Sequence, residues 1–288
     1  MPVVQSLKRG AALMVASAFF FAAMGMSVKI ASRSLPNVLV VFFRNALGLA
    51  ALAPLLPHLR RRGLGTAHLG EHLVRSLAGL GAMYCFFYAI AHMRLADAVL
   101  LNYSVPLFMP MIARVWLGEA IPRGLWRSLS IGFLGIAFII KPGAGLLNLV
   151  APVGLLSAVL AAVAQVGVRR LTETEPVTRI VFYFAVSSTF VSGLPLAGAW
   201  TTPPARLWPT LLALGASATV AQLLMTRAYS HAPAAQVGPF IYACVPFAAL
   251  LDGLVFGLWP DPLSIVGAVL VCLAGILTLR RMPAPAAA

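Results

Sequence analysis

Apolar residues fill ten long runs of this chain, at 10–31, 36–57, 72–93, 96–117, 124–141, 150–169, 179–200, 207–229, 234–257 and 262–281. Polar and charged residues collect between them. A helix needs roughly 20 apolar residues to cross a bilayer, and each run is near that length. The pattern predicts ten membrane-spanning helices joined by short connections, several carrying Pro or Gly. No connection is long enough to fold as a soluble domain, so function is expected within the membrane.

Composition agrees. The chain has 288 residues, 61% of them hydrophobic and only 10% Asp, Glu, Lys or Arg. Soluble domains carry about a quarter charged residues, so lipid is the expected solvent. The formal charge of +14 does not imply nucleic acid, because the basic residues lie in short runs between spans. There they set topology. With the N-terminus placed in the cytoplasm, fifteen Lys and Arg fall on the inner side and five (Lys29, Arg33, Arg94, Lys141, Arg206) on the outer, with Arg44 mid-span. Both termini are then cytoplasmic. Trp116 and Trp126 fall at inner ends, and Trp200, Trp208 and Trp259 at outer ends, as headgroup-level indoles should. Lys8 and Arg9 precede an apolar run of spanning length with no clean cleavage site, so it reads as a first helix and not a leader.

The two halves repeat. "YAIAHMRLADAVLL" from Tyr88 aligns without gaps on "RAYSHAPAAQVGPF" from Arg227, "VPLF" from Val105 matches "VPFA" from Val245, and Gly135-Ile136 matches Gly275-Ile276. Lys141-Pro142 is echoed by Arg281 with Pro283. Each half holds five spans, an odd number, so the second enters from the opposite side. The expected fold is all-α and integral to the membrane, with ten transmembrane helices in two inverted five-helix repeats, 1–145 and 146–288. Inverted repeats suit alternating access.

On these features the chain resembles the ten-helix EamA-type branch of the drug/metabolite transporter superfamily. The likeness rests on Gly25, Arg44 in "FFRNALGL", the "VPLF" helix followed by Gly118-Glu119, the Gly-Ile endings, and "RAYSHAPAAQVGPF" with Pro246. The chain departs from the family at Met24, where Trp is frequent, and at "FGLWPDP", where Gly-Glu is frequent. The resemblance implies a bacterial inner-membrane exporter or permease of amino acids, related metabolites or drugs. It is most similar to amino-acid exporters, including the aromatic kind.

Candidate substrate residues follow from polarity at depth. Arg44 either holds a substrate carboxylate or pairs with Asp97, Asp252 or helix-end carbonyls. Tyr84 and Tyr88 share a face of the third span. Asn102 and Tyr103 precede Pro106 and Pro110, and Tyr242 precedes Pro246. Tyrosine offers an apolar ring and a hydroxyl that needs a partner, which suits an apolar or aromatic amino acid as well as plain helix packing. Gln165 and Gln222 either touch substrate or join helices. Lys29 either snorkels to the interface or forms an outer gate. Pro106, Pro110, Pro239 and Pro246 bend their helices, as gate hinges or as static kinks. Gly132, Gly135, Gly267 and Gly275 serve close helix packing or a dimer face.

The sequence carries no phosphate-binding loop, metal-ligand spacing or nucleophile–base motif, so the expectation is a carrier and not an enzyme. No cofactor and no metal is expected. Cys85, Cys244 and Cys272 read as buried thiols. The expected partners are a small-molecule substrate and the bilayer, with no nucleic acid, in a monomer or weak homodimer. Asp252 is a candidate for proton coupling but lies toward the outer end of its helix, and His92 and His231 read as helix-end groups, so facilitated transport stays as open as proton antiport. Two rival readings are a multidrug or cationic-compound exporter and, remotely, a lipid-modifying enzyme.

Overall fold

The computed structural model describes residues 7–51, 53, 65–117, 125–140, 149–171, 174–231 and 238–281. Arg60, Arg61, Arg62, Gly118, Glu119, Lys141, Pro142, Glu173 and Pro283 lie outside them. Every regular element described is helical. In chain order these are α1 (Leu7–Ala31), α2 (Asn37–Ala51), α3 (Leu69–His92) and α4, in two pieces (Leu95–Asn102 and Val105–Leu117). Then come α5 (Leu125–Ile140), α6 (Val150–Leu171), α7 (Val177–Gly193), α8 (Trp208–His231), α9 (Cys244–Phe256) and α10 (Pro262–Arg281). A single turn at Leu196–Ala199 and a 3-10 turn at Ala205–Leu207 join α7 to α8, and a 3-10 segment, Gly238–Ala243, leads into α9.

Helices form because hydrocarbon offers no partner to a backbone N–H or C=O, so each segment must satisfy its own. The 24 residues of α3 rise about 36 Å at 1.5 Å per residue, enough to cross a core of about 30 Å. Six helices are long and apolar enough to span, and three shorter ones are also apolar. Leu250, Leu254 and Val255 of α9 and Leu263, Val266 and Val269 of α10 are exposed, while Lys29, Asp97 and Asp252 are buried. Oily outside and polar inside is a distribution that lipid tolerates and water does not.

The packing closes on itself. The two broadest interfaces are α1 with α8 and α6 with α3. Advancing each helix by five converts one into the other. The same operation exchanges α1–α9 with α6–α4 and α2–α8 with α7–α3, and returns α5–α10, α2–α7 and α4–α9 to themselves. Five helices per half and this mirrored packing give the two inverted repeats of the all-α membrane fold. Small residues permit the close pairs. The Ser17 hydroxyl of α1 donates to the Ala221 carbonyl of α8 at 2.7 Å, and both helices bury alanines there: Ala18, Ala22, Ala218 and Ala221.

The spans predicted over 96–117 and 234–257 are not single α-helices. α4 breaks at Tyr103–Ser104, and the described part of the α9 span is 3-10 over Gly238–Ala243. The reason is chemical and repeated. Pro106 has no N–H for the Asn102 carbonyl, and Pro246 has none for the Tyr242 carbonyl. The two discontinuities fall at matching points of the two halves. A hydrogen bond between Tyr103 and the Cys244 thiol bridges them.

Trp200, Trp208 and Trp259 are all exposed, at 53%, 42% and 58%. They follow α7, open α8 and follow α9 respectively, which puts them at one end of the bundle. This is the end that holds Lys29 and Asp261. Gly257, at φ 69°, caps α9 and lets Leu258 N–H reach the Asp252 carbonyl at 3.3 Å. A left-handed residue of this kind is the usual helix stop.

The α5–α10 pair depends on Gly135. A Cβ there would sit 2.9 Å from the Gly267 carbonyl and 2.9 Å from side-chain atoms of Leu270 and Val271. Gly135→Val is expected to destabilise the detergent-solubilised protein by about 1–3 kcal/mol, the usual cost of overpacking. Gly48→Ala, whose added methyl meets nothing within 4 Å, should be neutral or stabilising by up to about 1 kcal/mol. Thermal unfolding followed by fluorescence separates the two.

Candidate functional site

Charged side chains gather at the two ends of the bundle. At the Lys29 end, the Lys29 ammonium on α1 lies 2.5 Å from Asp252 Oδ1 on α9. Asp252 Oδ2 accepts the backbone N–H of Leu95, the first residue of α4, at 2.6 Å. The carboxylate thus neutralises a lysine and caps the positive end of a helix, tying three helices together. Lys29 also sits 5.1 Å from the Phe256 ring, and the Arg33 guanidinium lies 4.0 Å from the same ring. Beside this pair, Arg94 donates to Asp97 at 2.7 Å, Asp261 at 2.5 Å and Ser264 at 2.8 Å, clamping the start of α4 to the start of α10. Lys29 does not snorkel: it is 7% exposed, and its charge is spent on a carboxylate 223 residues away.

At the opposite end, Glu175 accepts from Thr66 at 2.5 Å and from Arg179 at 2.6 Å, and Arg170 donates to Glu71 at 3.0 Å. Burial alone would raise the Glu175 carboxyl. The hydrogen bonds from Thr66 and Arg179, with the Arg179 charge, outweigh it and hold the group below its ordinary value. The His72 ring stacks on Tyr183 at 4.5 Å. These contacts join α3, α6 and α7.

The ends are unequal. Aligning Val105 on Val245 places Ile112 of α4 where α9 carries Asp252. The first half therefore has an apolar residue where the second has the acid that pairs with Lys29. α1 also touches α3 and α4, and no comparable contact joins α6 to α8 or α9 among the described residues.

Arg44 sits in mid-α2 without a carboxylate. Its Nη1 donates to Asn45 Oδ1 at 3.1 Å, and its Nε is buried with no partner. Asp97 and Asp252 were the acids open to it, and both are engaged by Arg94 and Lys29. All the described acids, which are Glu71, Asp97, Glu175, Asp252 and Asp261, have basic partners other than Arg44.

The remaining sequence candidates divide. The Tyr84 and Tyr242 hydroxyls are buried without partners, each a cost of about 1–3 kcal/mol unless something else pairs with it. The Tyr84 carbonyl accepts from Asn37 Nδ2 at 2.9 Å, fastening α2 to α3. Tyr88 stacks on His92, ring centroids 4.2 Å apart, and His92 Nδ1 meets the Tyr88 carbonyl at 2.8 Å. Asn102 donates to Ser157 of α6 at 3.0 Å, which is a helix-joining role. Gln165 is exposed and Gln222 half-buried. Pro106 and Pro246 begin the helical pieces after each break, Pro110 lies within the second piece of α4, and Pro239 within the 3-10 segment. Sequence reading missed Arg75, assigned only to topology; its depth in α3 was the available signal.

The candidates do not converge on a well-defined hollow near the Lys29 end. A cavity of about 520 Å³ lies between α4, α9 and α10, and of the candidates only Pro246 lines it. Its walls are apolar apart from Asp97, Ser264 and a thiol. Ile265, Val269 and Leu273 line it and are exposed on α10.

The chain matches the model of the EamA-like transporter family twice, over residues 8–141 and 148–280. It belongs to that family. A pseudopaline exporter of Pseudomonas aeruginosa is 38% identical over 96% of this chain and 98% of its own. A riboflavin transporter of Brucella anthropi is 29% identical over 89% of this chain and 95% of its own. An S-adenosylmethionine uptake transporter of Rickettsia bellii is 26% identical over 81% and 80%. A solved crystal structure superposes with a TM-score of 0.66 over 96% of this chain and all of its own, at 18% identity, and shares the fold. The chain is therefore a multi-pass membrane transporter of the EamA type, and its named relatives carry small molecules.

The Lys29–Asp252 pair is testable by stability. Removing one member of a buried pair strands the other charge and costs about 3–5 kcal/mol. Asp252→Asn and Lys29→Met are each expected to lower Tm in detergent. The double variant Lys29→Met/Asp252→Asn should recover much of the loss. Additive losses in the double variant would show that the two groups are uncoupled.

Proposed function

We propose that this chain exports a small carboxylate-bearing metabolite, an amino acid or a related compound, from a bacterial cytoplasm across the inner membrane by alternating access. The observation that carries the reading is Arg44: a half-buried arginine in mid-span whose Nε is buried without a partner, with no described acid beside it. An isolated charge at that depth costs about 2.5–3.5 kcal/mol on insertion scales, and a substrate carboxylate offsets it by charge-assisted hydrogen bonds. The exporting relative at 38% identity supports outward flux. Tyr84 and Tyr242, with their unpartnered hydroxyls, suit a ligand with an apolar or aromatic body, and Tyr88, Tyr103, Asn102, Gln165 and Gln222 complete the candidate lining.

Both termini face the cytoplasm in this reading, and the Lys29 end faces outward. The Lys29–Asp252 pair is the outer latch. It holds that end shut while substrate loads from inside, and the breaks before Pro106 and Pro246, with Pro110 and Pro239 nearby, are the hinges. The 1–145 and 146–288 halves exchange roles between the two states. Export of cationic drugs is the weaker reading, because the described carboxylates that would bind a cation are already paired.

Proteoliposomes loaded with labelled leucine, phenylalanine or glutamate are expected to release at least one faster than protein-free liposomes. Arg44→Gln should cut that flux at least tenfold while the protein stays folded. Release of ethidium with no flux of any carboxylate would replace this reading with the drug-export one.

A further inference from the structure

Most of the buried polar side-chain atoms that lack partners lie together, the Ser32 and Tyr242 hydroxyls apart. Asn37 Oδ1 and Arg44 Nε are on α2. Arg75 Nε and Nη1, His72, Ser76 and Tyr84 are on α3, and Thr189 is on α7. These three helices pack on one another. A buried donor without an acceptor is rare in a folded protein, and a run of them on mutually packed helices marks a place completed by something else.

Arg75 is the decisive member. It lies in the first third of α3, and its guanidinium carbon is 3.8 Å from the Phe184 ring of α7. Its stem packs beside Gly167 of α6, where an added Cβ would come within 3.3 Å of it and within 3.4 Å of Trp116. Stacking on a ring face steadies the guanidinium plane but takes none of its N–H groups, which radiate from the edge. That edge is the fork that grips a carboxylate or phosphate with two parallel hydrogen bonds. The nearby carboxylates do not fill it: Glu71 takes Arg170 and Glu175 takes Arg179. The Asn37–Tyr84 hydrogen bond sets the register of the antiparallel α2–α3 pair, and the same number of residues further along each helix brings Arg44 to the level of Leu77, within a turn of Arg75, where the two like charges repel. Two mutually repelling cations, both short of acceptors, are an unfavourable arrangement for the empty protein. An arrangement of this kind persists where binding relieves it.

We propose that Arg44 and Arg75 together take two anionic groups of one substrate, so that the transported compound carries at least two negative charges. This rests on the carboxylate reading of Arg44 and narrows it. A second anionic group cancels the repulsion between the arginines as well as filling both forks, which a zwitterion with one carboxylate cannot do. Arg44 Nε and Arg75 Nε and Nη1 have no solvent contact, while both residues are half-buried and so open in part to an entering ligand.

The test compares three probes on the purified full-length protein, by thermal shift and calorimetry: leucine (one carboxylate), N-carboxymethyl-leucine (two) and O-phosphoserine (a carboxylate and a phosphate). At least one doubly anionic probe is expected to bind ten or more times tighter than leucine, and which one does so names the second group. Arg75→Gln should abolish that preference while leaving leucine binding within twofold, and Arg75→Lys should retain part of it. In the absence of ligand, Arg75→Gln should leave Tm unchanged or raise it, since it removes an uncompensated charge. A merely structural arginine would lower it. Leucine binding as tightly as the doubly anionic probes overturns the pair but leaves the carboxylate reading standing. No binding of any probe overturns both.

Discussion

One carboxylate holds the Lys29 end of this bundle together. Asp252, 1% exposed, meets the Lys29 ammonium with one oxygen and the first amide of α4 with the other. An acid buried this deeply is tolerated only when charge and hydrogen bonds surround it, so α1, α4 and α9 must arrive in register. The features around it follow. α9 ends at Gly257, whose left-handed turn swings Trp259 and Asp261 back toward Arg94. Arg94 then binds Asp97 and Asp261 and closes the same end against α10. The repeat does not reproduce this arrangement at the other end, where the counterpart of Asp252 is Ile112. Among the described residues the opposite end is held differently, by Glu175 with Thr66 and Arg179.

The distribution of charge underlies the proposed route. The described carboxylates sit at the ends of the bundle, already paired. Between them, along α2, α3 and α7, lie arginine, tyrosine, threonine and asparagine groups that lack acceptors or donors. Lipid faces the outside of α9 and α10, where aliphatic side chains are bare. In the proposed export path a molecule meets these donors between the helices and the described acids at the ends, an arrangement that suits anions better than cations.

Much of the architecture was legible in the sequence. Ten apolar runs of spanning length leave helices as the only solution, because the backbone must be satisfied segment by segment. The short matches at Tyr88/Arg227 and Val105/Val245 mark halves whose broad interfaces interchange in space. Other features were not legible. The Lys29–Asp252 pair joins residues 223 apart, and no local pattern links them. The 3-10 stretch before α9 was read as helix, although Pro246 marked where the ladder loses a donor. Arg75 was counted with the topology-setting basic residues because the run was started at 72. The helix begins at Leu69, which carries Arg75 a turn deeper. Pairing of Arg44 with Asp97 or Asp252 was equally open from sequence, and only the geometry shows both acids committed elsewhere.

The distance across the Lys29 end tests the account most directly. Spin labels at Ser34 and Leu258, both exposed, in a background with Cys85, Cys244 and Cys272 replaced, report the separation of α1 and α9 in a bilayer. A dominant short separation is expected in the otherwise native protein. Asp252→Asn should add a second, longer population. A distribution that is already broad, or that does not change when Asp252 is neutralised, would contradict the ion pair as the latch.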